Sequence, residues 1–325
     1  MKIQLLGGGA WGMALSRLLA GNGHQTHLWV YDTEELEQLR NNRGNETLLP
    51  GINLHESTEV SGTIMTDAEM VVYAIPSHAM RETATRISFD SNPVRISVAK
   101  GIENSTLLRM SQVIQENAPE AAVVALSGPS HAEEVGCGLP ACLVAASQNN
   151  NAALSVQKVF GCPAFRVYTS KDIVGVELGG ALKNIIAIAA GACEGFGLGD
   201  NAKAALITRG LAEMIRLGVS CGAEASTFAG LSGLGDLVVT CASLHSRNHR
   251  VGLCIAQGMT LDEILASSPK VAEGIRTAKS TVLLSEKYDV EMPITRAVYE
   301  VLYEGSKARD CITSLMTRLM RSEWE

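Results

Sequence analysis

The chain has 325 residues, of which 46% are hydrophobic and 19% charged, with a net charge of −7 and a pI near 5.6. That length fits one large or two ordinary domains, the apolar share supplies a packed core, and the acidic balance speaks against a nucleic-acid partner. The eight cysteines include no Cys-x-x-Cys pair and no histidine at ligand spacing, so no metal is expected; most read as buried, reduced thiols of a cytoplasmic protein.

Met1 to Leu6 is a short apolar strand, too short for a signal-peptide core. Gly7-Gly8-Gly9-Ala10-Trp11-Gly12 follows as a G-x-G-x-x-G turn, and Met13 to Leu19 continues as an amphipathic helix. A second strand runs from His24 to Val30, and Asp32 stands 20 residues beyond Gly12. Strand, glycine turn, helix and distant acid together form a dinucleotide-binding signature. Gly7 serves the tight turn, Gly9 the approach of a pyrophosphate, and Gly12 the packing of helix on sheet. A helix starting near Ala10 aims unpaired N–H groups at that pyrophosphate. Asp32 accepts hydrogen bonds from an adenosine ribose and repels a 2′-phosphate, so NAD(H) is favoured over NADP(H).

Thr33 to Asn41 is helical in pattern. Buried strands are expected at Glu69–Ile75, Val94–Ala99 and Ala121–Leu126, with further candidates at Pro140–Ala145 and Phe165–Tyr168. Alternation of strands and helices predicts an α/β class with a parallel, doubly wound, Rossmann-like sheet. Pro76, Lys100 and Ser127-Gly128 fall at the strand carboxyl ends, where such sheets bind ligands.

Beyond Thr169–Asp172 the pattern becomes helical, which divides the chain into a dinucleotide-binding domain (1–172) and an all-α substrate domain (173–325) with a cleft between. Val174 to Cys193 reads as one long apolar helix, and Asp200 or Asn201 as the cap of the next. Further helices are expected over 249–257, 260–266, 271–287, 294–304 and 307–321. The most apolar stretch, Ile185–Ala192, falls short of the roughly 20 residues of a membrane span.

Lys183 sits in the otherwise apolar helix, where desolvation lowers a lysine pKa toward the range of a general acid–base; the alternative is a lysine snorkelling to solvent. Asn184 is either a substrate ligand or a surface amide. Asp236, in a glycine-rich turn before a helix, is either an N-cap or catalytic, and Thr240 lies one turn further on the same face. Ser246-Arg247-Asn248 offers a phosphate seat or a solvated turn. Lys100, at a ligand edge, is placed to polarise a carbonyl or hold a phosphate. Glu273 has no role by pattern.

Six blocks taken in order resemble the soluble bacterial NAD(P)-dependent glycerol-3-phosphate dehydrogenases over essentially the whole length. They are Gly7–Gly12, Val98–Glu103, Leu126–Glu134, Gly175–Asn184, Asp200–Arg209 and Leu244–Asn248. The resemblance implies reversible reduction of dihydroxyacetone phosphate to sn-glycerol 3-phosphate, the backbone of glycerophospholipids. It implies that Lys183 exchanges the proton, that Lys100 touches cofactor and substrate, and that Gly128, Ser130, Asp236, Ser246, Arg247 and Asn248 bind substrate. Ala10, Trp11, Ala132, Arg247, Val271 and Glu273 are implied cofactor contacts, and Asn184 and Thr240 lie near the substrate in related enzymes. Many bacterial members carry a basic residue after the second strand, where this chain has Tyr31-Asp32, and the loop position that is often Tyr is Leu48. A homodimer is the prior for a soluble enzyme. Two rivals remain open: a 3-hydroxy-acid dehydrogenase of the same plan, and a non-catalytic dinucleotide sensor.

Overall fold

A computed structural model describes residues 1–267, 272–320 and 322–323. Its first half alternates β1 (Lys2–Leu6), α1 (Ala10–Gly21), β2 (Gln25–Trp29), α2 (Thr33–Asn42), β3 (Glu59–Ser61), β4 (Met70–Tyr73), α3 (Met80–Arg86), β5 (Val94–Ser97), α4 (Met110–Asn117) and β6 (Val123–Ser127). Then come α5 (Ala132–Gly136), β7 (Ala141–Ala146), α6 (Asn150–Phe160) and β8 (Phe165–Ser170). β4 and β6 are buried along their whole length, as strands covered on both faces must be.

The eight strands form one sheet in the order β3-β2-β1-β4-β5-β6-β7-β8. The first six are parallel, so the order reverses between β1 and β4, the switch point where such folds hold dinucleotides. Two features depart from the sequence reading. β3 was not anticipated, being only three residues long. β7 runs antiparallel to β6, with β8 parallel to β7, so the sheet is mainly rather than wholly parallel. The chain leaves β6 at its carboxyl end and re-enters β7 from that same end after the short α5, without crossing back.

The helical half is built on α7 (Ile173–Gly195), followed by α8 (Gly199–Ser220), α9 (Ala225–Phe228), a π-turn at Leu231–Gly235, α10 (Asp236–Ala242), α11 (Arg247–Ala256), α12 (Leu261–Ser267), α13 (Glu273–Lys287), α14 (Pro293–Tyr303) and α15 (Ala308–Met316). Asp172 caps α7, accepting from Gly175 N at 2.8 Å, and also receives Glu224 N and Thr227 Oγ1. α8 opens at Gly199, behind Leu198, so Asp200 lies in its first turn and is not the expected cap. Close glycine crossings join α7 to α11: a Cβ at Gly191 would fall on the His249 carbonyl, and one at Gly252 on that of Ile188.

One apolar core lies between the sheet and α1 and α6, another between the sheet and α3 and α4, and a third surrounds α7. By length and composition Ile173–Gly195 could cross a bilayer, with a mean hydropathy of 1.6, which the shorter apolar run did not suggest. In the fold 89% of that window is buried within the protein. Ala225–Ala242 passes the same test at 1.3, but is the succession of α9, π-turn and α10. All eight cysteines are free; only Cys193 and Cys241 are fully buried and Cys137 is exposed, fewer buried thiols than expected.

Candidate active site

The glycine turn sits at the switch point. Gly7 has φ +113°, and a Cβ there would stand 2.5 Å from the Ala74 carbonyl oxygen at the end of β4. A Cβ at Gly12 would collide with the Gly7 carbonyl, so this glycine fits the helix onto the turn itself. At Gly9 a Cβ would meet nothing within 4 Å, which leaves the outer face of the turn open. Gly9 precedes α1 with no side-chain cap and no acid in the first turn. Backbone N–H groups at Ala10, Trp11 and Gly12 therefore face an open, positive helix end, which fits a pyrophosphate.

In the helical half, Gly179 and Gly180 let α7 lie against the π-turn and the end of β6. A Cβ at Gly179 would approach Ser232 O to 2.6 Å, and one at Gly180 would approach Ser127 Oγ to 2.7 Å. One turn later comes Lys183, 5% exposed. Its Nζ donates to Asp236 Oδ1 at 2.5 Å and to Thr240 Oγ1 at 2.6 Å. Asp236 Oδ2 receives Lys100 Nζ at 2.7 Å, and Lys100 also donates to Gly128 O at 3.1 Å. Thr240 returns its own proton to Asp236 O at 2.6 Å. Asp236 is 1% exposed and opens α10 from behind a π-turn, so its carboxylate serves two ammonium groups rather than a cap.

Burial draws the Lys183 pKa down to about 8, opposed by Asp236 and assisted by the charge of Lys100. Burial pushes the Asp236 pKa upward, but Lys100 and Lys183 together outweigh it and hold the carboxyl below its ordinary range. The Cys241 thiol, buried nearby, is pushed up to about 12 and stays protonated.

A second polar chain lies alongside. Asn184 Nδ2 donates to Lys100 O at 3.4 Å and Gly180 O at 3.3 Å, while its Oδ1 accepts from Asn248 Nδ2 at 2.9 Å. Asn248 Oδ1 receives Gly274 N at 2.9 Å, which ties α7, α11 and α13 together. Ser246 caps α11, its hydroxyl accepting from His249 N at 3.1 Å, and the Arg247 side chain beside it is exposed. Ser130 Oγ donates to Gly128 O at 2.9 Å, and Gly128 holds φ +146° at the end of β6. Ala132 begins α5 just beyond.

Lys100, Gly128, Lys183, Asn184, Asp236, Thr240 and Asn248 thus form one bonded network. Asp32 lies apart at the end of β2, where it caps α2 by accepting from Glu35 N at 2.9 Å. It opens onto a cleft with Glu34, Glu35, Gln38, Asn45, Thr47 and Leu48. Glu273 is clasped to Ser77, receiving its N at 3.1 Å and its Oγ at 2.6 Å. Val271 lies outside the described residues. Ser77 and His131 escaped the sequence reading; their only signals were a hydroxyl after Pro76 and an imidazole two residues after Pro129.

A glycine turn at the switch point of a mainly parallel sheet, together with a buried lysine–carboxylate pair on a helical half, defines a dinucleotide-dependent oxidoreductase. Residues 2–153 match the family described as NAD-dependent glycerol-3-phosphate dehydrogenase N-terminus, and residues 172–313 match its C-terminus. The chain belongs to this family. It is 49% identical to the glycerol-3-phosphate dehydrogenase [NAD(P)+] of Pelotomaculum thermopropionicum, covering all of this chain and 95% of that one. It is 47% identical to the enzyme of the same name from Fusobacterium nucleatum, covering 98% and 97%. The crystal structure of glycerol-3-phosphate dehydrogenase from Coxiella burnetii superposes with a TM-score of 0.94 at 34% identity, covering 98% and 99%.

Proposed function

We propose that the chain reduces dihydroxyacetone phosphate reversibly to sn-glycerol 3-phosphate with NAD(P)H, supplying a glycerophospholipid backbone from the cytoplasm. The observation that carries this is the buried Lys183–Asp236–Lys100 cluster at the carboxyl edge of the sheet. The dinucleotide, when bound, supplies the hydride. Lys183 has three donors and spends two on Asp236 and Thr240; the third reaches the substrate oxygen and delivers the proton. Asp236 keeps both lysines charged and fixed, and Lys100 offsets negative charge developing on that oxygen. Gly128 and Ser130 border the substrate, and Ser246, Arg247 and Asn248 seat its phosphate.

The glycine turn with Gly7, Gly9, Ala10, Trp11 and Gly12 holds the pyrophosphate, and Ala132, Lys100, Arg247, Val271 and Glu273 complete the cofactor's surroundings. Asp32 binds the ribose hydroxyls. The carboxylates of Asp32, Glu34 and Glu35 around that cleft disfavour a 2′-phosphate, so NADH is preferred. Residues 1–172 and 173–325 act as cofactor and catalytic domains, and the enzyme works as a homodimer.

Offering phosphorylated and carboxylated ketones in parallel tests the reading. Turnover confined to the phosphorylated ketone supports it, whereas turnover of a 3-oxo acid alone would place the chain with the 3-hydroxy-acid dehydrogenases.

A further inference from the structure

His131 follows the Gly128–Ser130 segment at the end of β6 and precedes α5. Its Nε2 is shut off from solvent and has no hydrogen-bond partner among the described residues. Buried polar atoms in native folds are nearly always paired, so an orphan at a cleft needs a reason. The ring lies 5.8 Å from that of His245, centroid to centroid and tilted by 52°, and His245 directly precedes Ser246, Arg247 and Asn248. His131 therefore links the β6 end to the segment assigned to the phosphate.

The charged groups around the ring are Lys183 on α7, Lys100 beyond β5, and Glu133 and Glu134 on α5. Burial lowers the His131 pKa, the two lysines lower it further, and the two glutamates pull the other way. The ring is thus kept neutral at neutral pH, able both to donate and to accept through its nitrogens. None of the described residues uses that capacity, while Lys183 is near enough to act on the ring's charge and His245, next to the segment assigned to phosphate, touches it.

We propose that His131 is a substrate-binding and specificity residue, whose neutral imidazole hydrogen-bonds an oxygen of the three-carbon phosphate between Lys183 and the Ser246–Asn248 seat. This rests on the substrate class given above. Once the substrate is in place the orphaned nitrogen gains its partner, and binding of the correct polyol phosphate is favoured over analogues lacking that oxygen.

The test uses the full chain with His131→Phe, which keeps an aromatic ring against His245, and His131→Gln, which restores a donor and an acceptor. The Phe variant should raise KM for dihydroxyacetone phosphate about tenfold, the equivalent of one hydrogen bond, with KM for the dinucleotide and the melting temperature unchanged. The Gln variant should recover most of that loss. An unchanged KM in folded His131→Phe overturns the proposal, as does equal impairment by Phe and Gln. A ring-resonance titration of the wild type with sn-glycerol 3-phosphate, with His131 assigned by its absence in the variants, separates the two readings. A shifted His131 signal without turnover sinks the dehydrogenase reading alone. An unmoved signal on saturation sinks the role of His131.

Discussion

Lys183 Nζ and Asp236 Oδ1 stand 2.5 Å apart, both nearly sealed from solvent, although 53 residues separate them in the chain. Two opposite charges in so dry a place are held only by each other, by Thr240 and by Lys100. The pair is costly to bury and costly to break, and it gives a lysine that releases its proton near pH 8.

Replacement of Lys183 by Met keeps the side-chain length and removes the proton. The expected result is a fall in kcat of about 10²–10⁴-fold with dinucleotide affinity unchanged, read by steady-state kinetics and by cofactor titration. Full turnover in this variant would remove the acid–base role.

The pH dependence follows from the same residue. Ketone reduction needs charged Lys183, so its kcat should hold level below about pH 8 and decline above it. Alcohol oxidation needs the neutral amine and should rise through about pH 8. The unfolded lysine titrates near 10.5, so between about 8 and 10.5 the unfolded chain binds more protons than the folded one. Stability from this group therefore increases with pH across that window and is lowest below it. Rate profiles in both directions check the first part, and urea melts of wild type against the Met variant check the second.

Asp236→Asn leaves the buried Lys183 ammonium and the partly exposed Lys100 without their shared counter-charge. Stability should fall by about 3–5 kcal/mol, and the break in the reduction profile should move to lower pH as Lys183 loses its anchor. Denaturant titration together with the rate profile measures both. An unaltered break would mean that Asp236 does not set the lysine's charge.

Asp32 both caps α2 and opens onto the cleft proposed to hold the ribose. Asp32→Ser retains an N-cap while removing the charge, so the fold should be spared. The ratio of kcat/KM for NADH over NADPH should drop about tenfold or more. A constant ratio would show that discrimination lies elsewhere in the cleft.

The sequence made the glycine turn and the sheet legible because their signals are local: Gly7, Gly9 and Gly12 are neighbours in a single turn, and short apolar runs marked seven of the eight strands. β3 escaped because Glu59-Val60-Ser61 is no apolar run, and the reversal of β7 because strand direction depends on where the connection re-enters. The residues around Lys183 and Asp236 were named one by one, but their bonding was not. Whether Asp236 capped a helix or served a lysine depended on Lys100, 136 residues distant in the chain. Ser246, read as part of a phosphate seat, is also the cap of α11, and Glu273 proved to be bound to Ser77. His131 was hidden because an unpaired buried nitrogen exists only once the fold has closed around it.

Loss of reduced-nicotinamide absorbance with dihydroxyacetone phosphate, followed with NADH and NADPH at matched concentrations, tests the proposed reaction. Turnover is expected with both or with NADH alone, and faster with NADH. Faster turnover with NADPH would keep the reaction and contradict the role of Asp32. No turnover with either, in protein shown to bind the dinucleotide, would contradict the proposed reaction itself.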